Sequence, residues 1–303
     1  MGKGIGYGKV ILFGEHFVVH GIPAIAVSIE NKAIVEVRKS LELSYLSKVH
    51  GTIPELTMKA IKLIIAEMGI TENFLVELTG DLPTIGGLGS SAAFCVALAR
   101  AFADEYKLNL RDDKINAIAH EGEKAFHGNP SGIDDTMATY GGAMRFTRGK
   151  SPSENKFDKI KIAKRLHCVI GITGISSPTV KMVEKVRKFK EDDPVQFQTM
   201  CDEAGDIVKR GEKALATGDS KQLGELMNEN QQLLQAIGVS IEQNERIIAI
   251  ALRSGALGAK VTGGGGGGTC IILAKDDNNA RGVENEIKNQ GFNAFYTEIA
   301  ETI

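Results

Sequence analysis

Six consecutive glycines, Gly263–Gly268, stand between the short apolar segments Ala259–Thr262 and Thr269–Leu273, so this part of the chain reads as strand, loop, strand. Ordering glycine costs more conformational entropy than ordering any other residue, so such a run marks a place where the backbone turns tightly or comes close to a ligand. The chain has 35 glycines in 303 residues, and many fall in clusters. A second cluster, Gly86-Gly87-Leu88-Gly89, leads into Ser90-Ser91-Ala92-Ala93 and an apolar helix reaching about Tyr106. A third, His127-Gly128-Asn129-Pro130-Ser131-Gly132, packs turn-forming residues between a helix and the adjacent acids Asp134 and Asp135.

Around these clusters, strands are expected at Lys9–Phe13, Ala24–Ser28, Ala33–Arg38, Phe74–Leu78 and Gly141–Phe146, from their β-branched residues and alternation. Helices are expected at Pro54–Met68, with Gly69 as its stop, and at Asp112–Phe126. The polar, turn-rich stretch Arg148–Asp158 suggests a boundary between domains 1–158 and 159–303. Beyond it come a strand at Cys168–Ile172, four helical segments between about Thr179 and Ser254, a helix near Ala280–Lys288 and a strand near Ala294–Ile299. No regular βαβα alternation runs through this order, which favours α+β over a doubly wound sheet.

Composition narrows the function. Hydrophobic residues at 43% and charged residues at 24% are those of a soluble globular protein. A formal charge of −2 argues against a broad nucleic-acid surface, yet leaves room for one small anionic ligand held by backbone N–H groups and a lysine. Cys95, Cys168, Cys201 and Cys270 are scattered, with no C-x-x-C pair, which fits buried thiols in a reducing cytoplasm. No stretch approaches the length of a membrane span, and Gly6 stands where a myristoylation signal needs Ser or Thr.

The Walker pattern is absent, because Met144 occupies the position of its first glycine ahead of Gly149-Lys150-Ser151. The six-glycine run leads into a strand rather than a helix, which makes it a poor dinucleotide fingerprint. The better phosphate site is Gly86, Gly87, Leu88, Gly89, Ser90 and Ser91: glycines fold N–H groups round an anion, and a helix beginning at the serines aims its positive end at the same spot. The hydroxyls of Ser90 and Ser91 can cap that helix or ligate magnesium; a plain capped helix is the bland alternative. Glu123 and His127 share a helix face, and since magnesium prefers oxygen, Glu123 reads as the ligand and His127 as structural. His20, His50, His120 and His167 show no paired spacing and read as surface or satisfied core residues.

Lys9-Val10-Ile11-Leu12-Phe13-Gly14-Glu15-His16, then Gly86–Ala93, then Gly263–Gly268, resemble the three motifs of the GHMP kinases in their usual order. The likeness spans essentially the full chain. His127–Asp134 (HGNPSGID) and Met227–Ser240 (MNENQQLLQAIGVS) resemble the forms those regions take in the mevalonate kinase branch. The resemblance implies a two-domain α+β fold with ATP and substrate in the interdomain cleft, magnesium on Ser91 and Glu123, Asp134 as catalytic base and Lys9 beside it. It places Glu15, His16 and Gly264 near the acceptor, with Thr179 reaching the same site from the start of its helix. The implied reaction is ATP-dependent phosphorylation of the primary hydroxyl of mevalonate in a cytoplasmic protein, and a homodimer is an assembly common in the family. Alternatives are a phosphomevalonate, mevalonate-3-type or galactokinase-like kinase, or an inactive binding protein on this scaffold. For Lys9 a solvated surface position is the bland reading. Three departures stand out. Gly6-Tyr7-Gly8 replaces the usual Ala-Pro-Gly before Lys9, which suggests a looser loop there. Asp135 stands where asparagine usually follows the base and adds negative charge beside it. The third glycine motif is plainer than usual.

Overall fold

The computed structural model describes residues 1–49, 51–151, 154–175 and 179–301, in two compact units. Unit 1 comprises Met1–Lys9 and Ser28–Gly141; unit 2 comprises Val10–Val27 and Gly142–Ile303. The chain therefore does not divide at a single point. Strands β1 (Gly2–Phe13) and β2 (Ala24–Lys39) each run from one unit into the other.

In unit 1, β3 (Ser44–Ser47), β4 (Phe74–Gly80) and β2 lie side by side in that order, with β1 along β2. β2 and β4 are antiparallel from Ala33↔Gly80 to Lys39↔Phe74, and Val35, Val37, Phe74 and Val76 alternate onto the buried face. The helices are α1 (Pro54–Glu67), α2 (Ser90–Glu105), α3 (Asp112–His127) and α4 (Ile133–Tyr140). Phe74 packs edge-on against Phe102 of α2, ring centroids 5.1 Å apart.

Glycine sets how closely α2 lies on β1. A Cβ at Gly2, Gly4 or Gly6 would fall 2.1, 2.0 and 2.0 Å from the carbonyl oxygens of Ala101, Ala97 and Ala93. Two residues of strand advance about 6.7 Å and four of helix about 6 Å, so the two ladders stay in step. Three residues beyond Gly6, Lys9 reaches the N-terminal end of α2, where its N–H donates to the Leu88 carbonyl at 2.9 Å.

In unit 2, β10 (Asn293–Ile299), β7 (Leu166–Ile172), β9 (Thr269–Leu273) and β8 (Gly258–Thr262) form an antiparallel sheet in that order. Ala24–Val27 of β2 pair with β5 (Ala143–Thr147), and β5 with β6 (Lys156–Ile160). The helices are α5 (Thr179–Asp192), α6 (Pro194–Thr217), α7 (Ser220–Ala236), α8 (Glu242–Arg253) and α9 (Asp277–Asn289). β8 is an edge strand whose backbone is met by amides from α7. Asn228 donates to Leu257 O at 3.3 Å and accepts from Ala259 N at 3.0 Å, and Gln231 accepts from Val261 N at 2.9 Å. Part of the Met227–Ser240 segment thus closes a sheet edge.

Most expected elements form, and the differences have local causes. The first strand begins at Gly2 rather than Lys9, because glycines that weaken a strand in general are here what lets it approach a helix. Gly6-Tyr7-Gly8 is accordingly strand, not a looser loop. The expected strands at Ala24–Ser28 and Ala33–Arg38 are one strand, and β3, β6 and α4 form where none was expected. Asp158 lies within β6, opposite Arg145.

Candidate active site

Unit 1 gathers Lys9, the Gly86–Ser91 turn, Glu123 and Asp134. Lys9 is buried, at 4% exposure, not solvated. Its Nζ lies 3.2 Å from Asp134 Oδ1 and donates to the Gly87 carbonyl at 3.3 Å. Asp134 stands in the first turn of α4, after Gly132 in the left-handed conformation, and its side chain is one-third exposed. A Cβ on Gly89 would press on the Lys9 stem at 3.0 Å, so the turn admits the lysine only because Gly89 has none.

Gly89, not a serine, is the N-cap of α2, and it makes no side-chain capping bond. The first N–H groups of that helix therefore face the turn with their partial positive charge, as an anion site requires. Ser91 Oγ lies 3.4 Å from His127 Nε2, and His127 Nε2 lies 3.8 Å from Glu123 Oε2. Glu123 is 1% exposed, and its Oε1 has no hydrogen-bond partner among the described residues. Burial, then the like charge of Asp134, pushes its carboxyl up to about 8, against a lowering hydrogen bond from Ser91. A buried carboxylate with an unmatched oxygen, next to a hydroxyl and a second carboxylate, suits a hard divalent cation such as magnesium.

In unit 2, Glu15, His16, Gly264 and Thr179 form one cluster. Glu15 is paired with Lys260, both side chains buried, and Lys260 Nζ also donates to Val261 O at 2.6 Å. Burial lowers the Lys260 ammonium, while the Glu15 charge raises it. His16 has a left-handed backbone, φ 63°, and its Nε2 donates to the Gly264 carbonyl at 3.1 Å. Burial lowers its imidazole to about 4, so the ring is neutral at pH 7. A Cβ on Gly264 would meet Thr179 Oγ1 at 2.7 Å. Gly263 and Gly265–Gly268 all have positive φ, from 64° to 111°, which explains the uninterrupted glycine. Asn244 of α8 holds this loop with both ends of its amide, donating to Gly267 O at 3.0 Å and accepting from Gly267 N at 3.2 Å.

Several residues escaped the sequence reading. Lys260 and Asn244 lie far along the chain from their partners and carry no local signal. His120 is not a bystander: its Nδ1 lies 2.6 Å from Asp135 Oδ2, so Asp135 is a buried, paired acid. His20 lies 3.4 Å from Lys190, and His167 bonds Tyr296 at 2.7 Å. His50 lies outside the described residues. All four cysteines are buried and free, and among the described residues no helix is long and apolar enough to cross a membrane.

A glycine-rich turn at a helix start, with a lysine–aspartate pair beside it, suits phosphoryl transfer, and comparison with known proteins gives the family. The chain matches the model of the GHMP kinases N terminal domain over residues 55–143 and that of the GHMP kinases C terminal over residues 212–293. It is 33% identical to the mevalonate kinase of Thermococcus sibiricus over 285 residues, 84% of each chain. It is 32% identical to that of Aeropyrum pernix, covering 97% of this chain and 94% of the other. The structure of L. major mevalonate kinase in complex with R-mevalonate superimposes with TM-score 0.93 at 35% identity, over 99% of this chain and 96% of that one. The chain belongs to the GHMP kinase family.

Proposed function

We infer that this chain phosphorylates the primary hydroxyl at carbon five of (R)-mevalonate with ATP, giving 5-phosphomevalonate and ADP. The observation that carries the chemistry is the Lys9–Asp134 pair, 3.2 Å apart and set against the Gly86–Ser91 turn. Mevalonate as acceptor is supported by the mevalonate kinase relatives and by the likeness to the L. major enzyme.

The Gly86–Ser91 turn and the first N–H groups of α2 hold the phosphates. Removing the hydroxyl proton outright at pH 7 would cost about 12 kcal/mol, taking bulk water as the guide. Asp134 therefore accepts that proton as, or after, the oxygen bonds to the γ-phosphorus and the bond from that phosphorus to the ADP oxygen breaks. Lys9 neutralises the negative charge that gathers on the attacking oxygen and the γ-phosphoryl group. Ser91 and Glu123 would hold magnesium, which when bound supplies positive charge to the phosphates.

The residues read for the acceptor lie in unit 2. His16 offers a neutral imidazole held by Gly264, Thr179 is set by the same glycine, and Glu15 acts through its pair with Lys260. The reading makes the protein a cytoplasmic enzyme, in keeping with its buried free thiols; a homodimer is an assembly common in the family, and light scattering measures whether this chain forms one.

The test is ADP release from the purified protein with magnesium ATP and mevalonate, phosphomevalonate, homoserine or galactose. Turnover on mevalonate, lost in Asp134→Asn, is the expected result. Turnover on a different acceptor overturns the substrate, and silence on all four overturns the activity.

A further inference from the structure

α3 and α4 of unit 1 meet along a polar seam. On α3, Asn116, His120, Glu123 and His127 recur at helical spacing and share a face. Asn116 Nδ2 donates to Thr136 Oγ1 at 3.4 Å, and Thr139 Oγ1 donates to Asn116 Oδ1 at 3.5 Å. Between them, His120 Nδ1 meets Asp135 Oδ2 at 2.6 Å. At the catalytic end the same two helices carry Glu123 and Asp134.

Asp135 is the unusual member of this seam. It is 2% exposed, and its Oδ1 has no hydrogen-bond partner, so among the described residues the contact to His120 is what compensates the carboxylate. It follows Asp134 directly and adds to the like charge acting on Glu123. Three carboxylates, Glu123, Asp134 and Asp135, thus share the first turn of α4 and the facing turn of α3. Lys9 answers Asp134, and His120 answers Asp135. The Asp135 bond also favours the charged imidazole.

We propose that His120 is a positioning residue for phosphoryl transfer: its imidazolium neutralises buried Asp135 and so fixes the turn of α4 on which Asp134 stands. His120 touches no reacting group in this arrangement. Without it, Asp135 becomes an uncompensated buried charge, relieved by moving that turn, and the movement disturbs Asp134. With asparagine at 135 the charge to be answered is gone, and so is the need for His120.

The inference rests on the mevalonate kinase reading, and a double-mutant cycle separates the two. His120→Ala and His120→Gln are each made in the native background and in Asp135→Asn, and kcat and KM for mevalonate are measured with magnesium ATP. In the native background kcat is expected to fall about 10- to 100-fold, the range for losing an outer-sphere partner, with KM nearly unchanged. In the Asp135→Asn background the same changes should cost less than about 3-fold, the mark of two residues acting as one unit. His120→Gln keeps a donor and the fold while removing the charge, so it decides the matter even if His120→Ala unfolds. An equal loss in both backgrounds, or a native-background His120→Gln enzyme with full kcat, overturns the proposal. A wild-type enzyme inert toward mevalonate overturns the reading beneath it instead.

Discussion

Replacing Glu123 with glutamine should abolish turnover and yet stabilise the metal-free protein, increasingly so as pH rises. The carboxyl is held up to about 8 from an ordinary 4.5 by burial and by the charge of Asp134. Below 4.5 the group is protonated in both the folded and unfolded chain, and its ionisation costs nothing. As pH rises the unfolded chain releases the proton first, so stability is lost from 4.5 upward until the folded carboxyl also ionises near 8. At 1.36 kcal/mol per tenfold, the loss is ~2 kcal/mol at pH 6 and ~5 kcal/mol at pH 9. Glutamine keeps the shape and never ionises, so its packing cost is the same at both pH values. The gain of Glu123→Gln over wild type should therefore grow by about 3 kcal/mol between pH 6 and pH 9. Urea unfolding in EDTA measures this, followed by far-ultraviolet circular dichroism because the chain has no tryptophan. Taking the difference between the two proteins at each pH removes the titration of all other groups. A difference equal at both pH values to within about 0.5 kcal/mol would show that Glu123 is not a desolvated acid.

Asp134→Asn and Lys9→Met should each lower kcat with mevalonate by about 10²- to 10⁴-fold, the range for losing a positioned acid–base group, while circular dichroism stays native. Lys260→Met should destabilise unit 2 by about 3 to 5 kcal/mol by removing the ammonium that answers the buried Glu15 charge, and Glu15→Gln with Lys260→Met should recover most of it; urea unfolding reads both. Gly4→Ala puts a methyl group 2.0 Å from the Ala97 carbonyl oxygen, and a loss of at least about 1 to 3 kcal/mol is expected in the same assay, with kcat falling as Lys9 is displaced from the turn.

The fold was legible where the chain advertises itself over a short span. α1 shows helical apolar spacing and a clear stop, α2 is an apolar run after a glycine turn, and β8 and β9 are apolar runs broken by glycine. It was illegible where a local preference was overruled. Gly2, Gly4 and Gly6 look like poor strand formers until α2 is laid against them. β6 lies in a stretch dense with turn formers, and its pairing with β5 supplies what its own propensity does not.

The site divides along the same line. The glycine turn with Ser91 and the cluster ahead of Asp134 stand out in the sequence, Glu123 follows from its place on the preceding helix, and the family likeness adds Lys9 to them. What stayed hidden are the compensating partners. Lys260 answers Glu15 from 245 residues away, and His120 answers Asp135 from the preceding helix, 15 residues earlier. A buried charge cannot stand alone, so each acid that the fold takes from solvent obliges a cation somewhere in the chain. Asp135 looked like an extra negative charge beside the base only because its partner was not in view. His120 pairs Asp135, and Asp134, one-third exposed with Lys9 at its side, is the carboxylate proposed as the base. On the proposal made above, an acid at position 135 calls for a partner such as His120 if Asp134 beside it is to serve as the base.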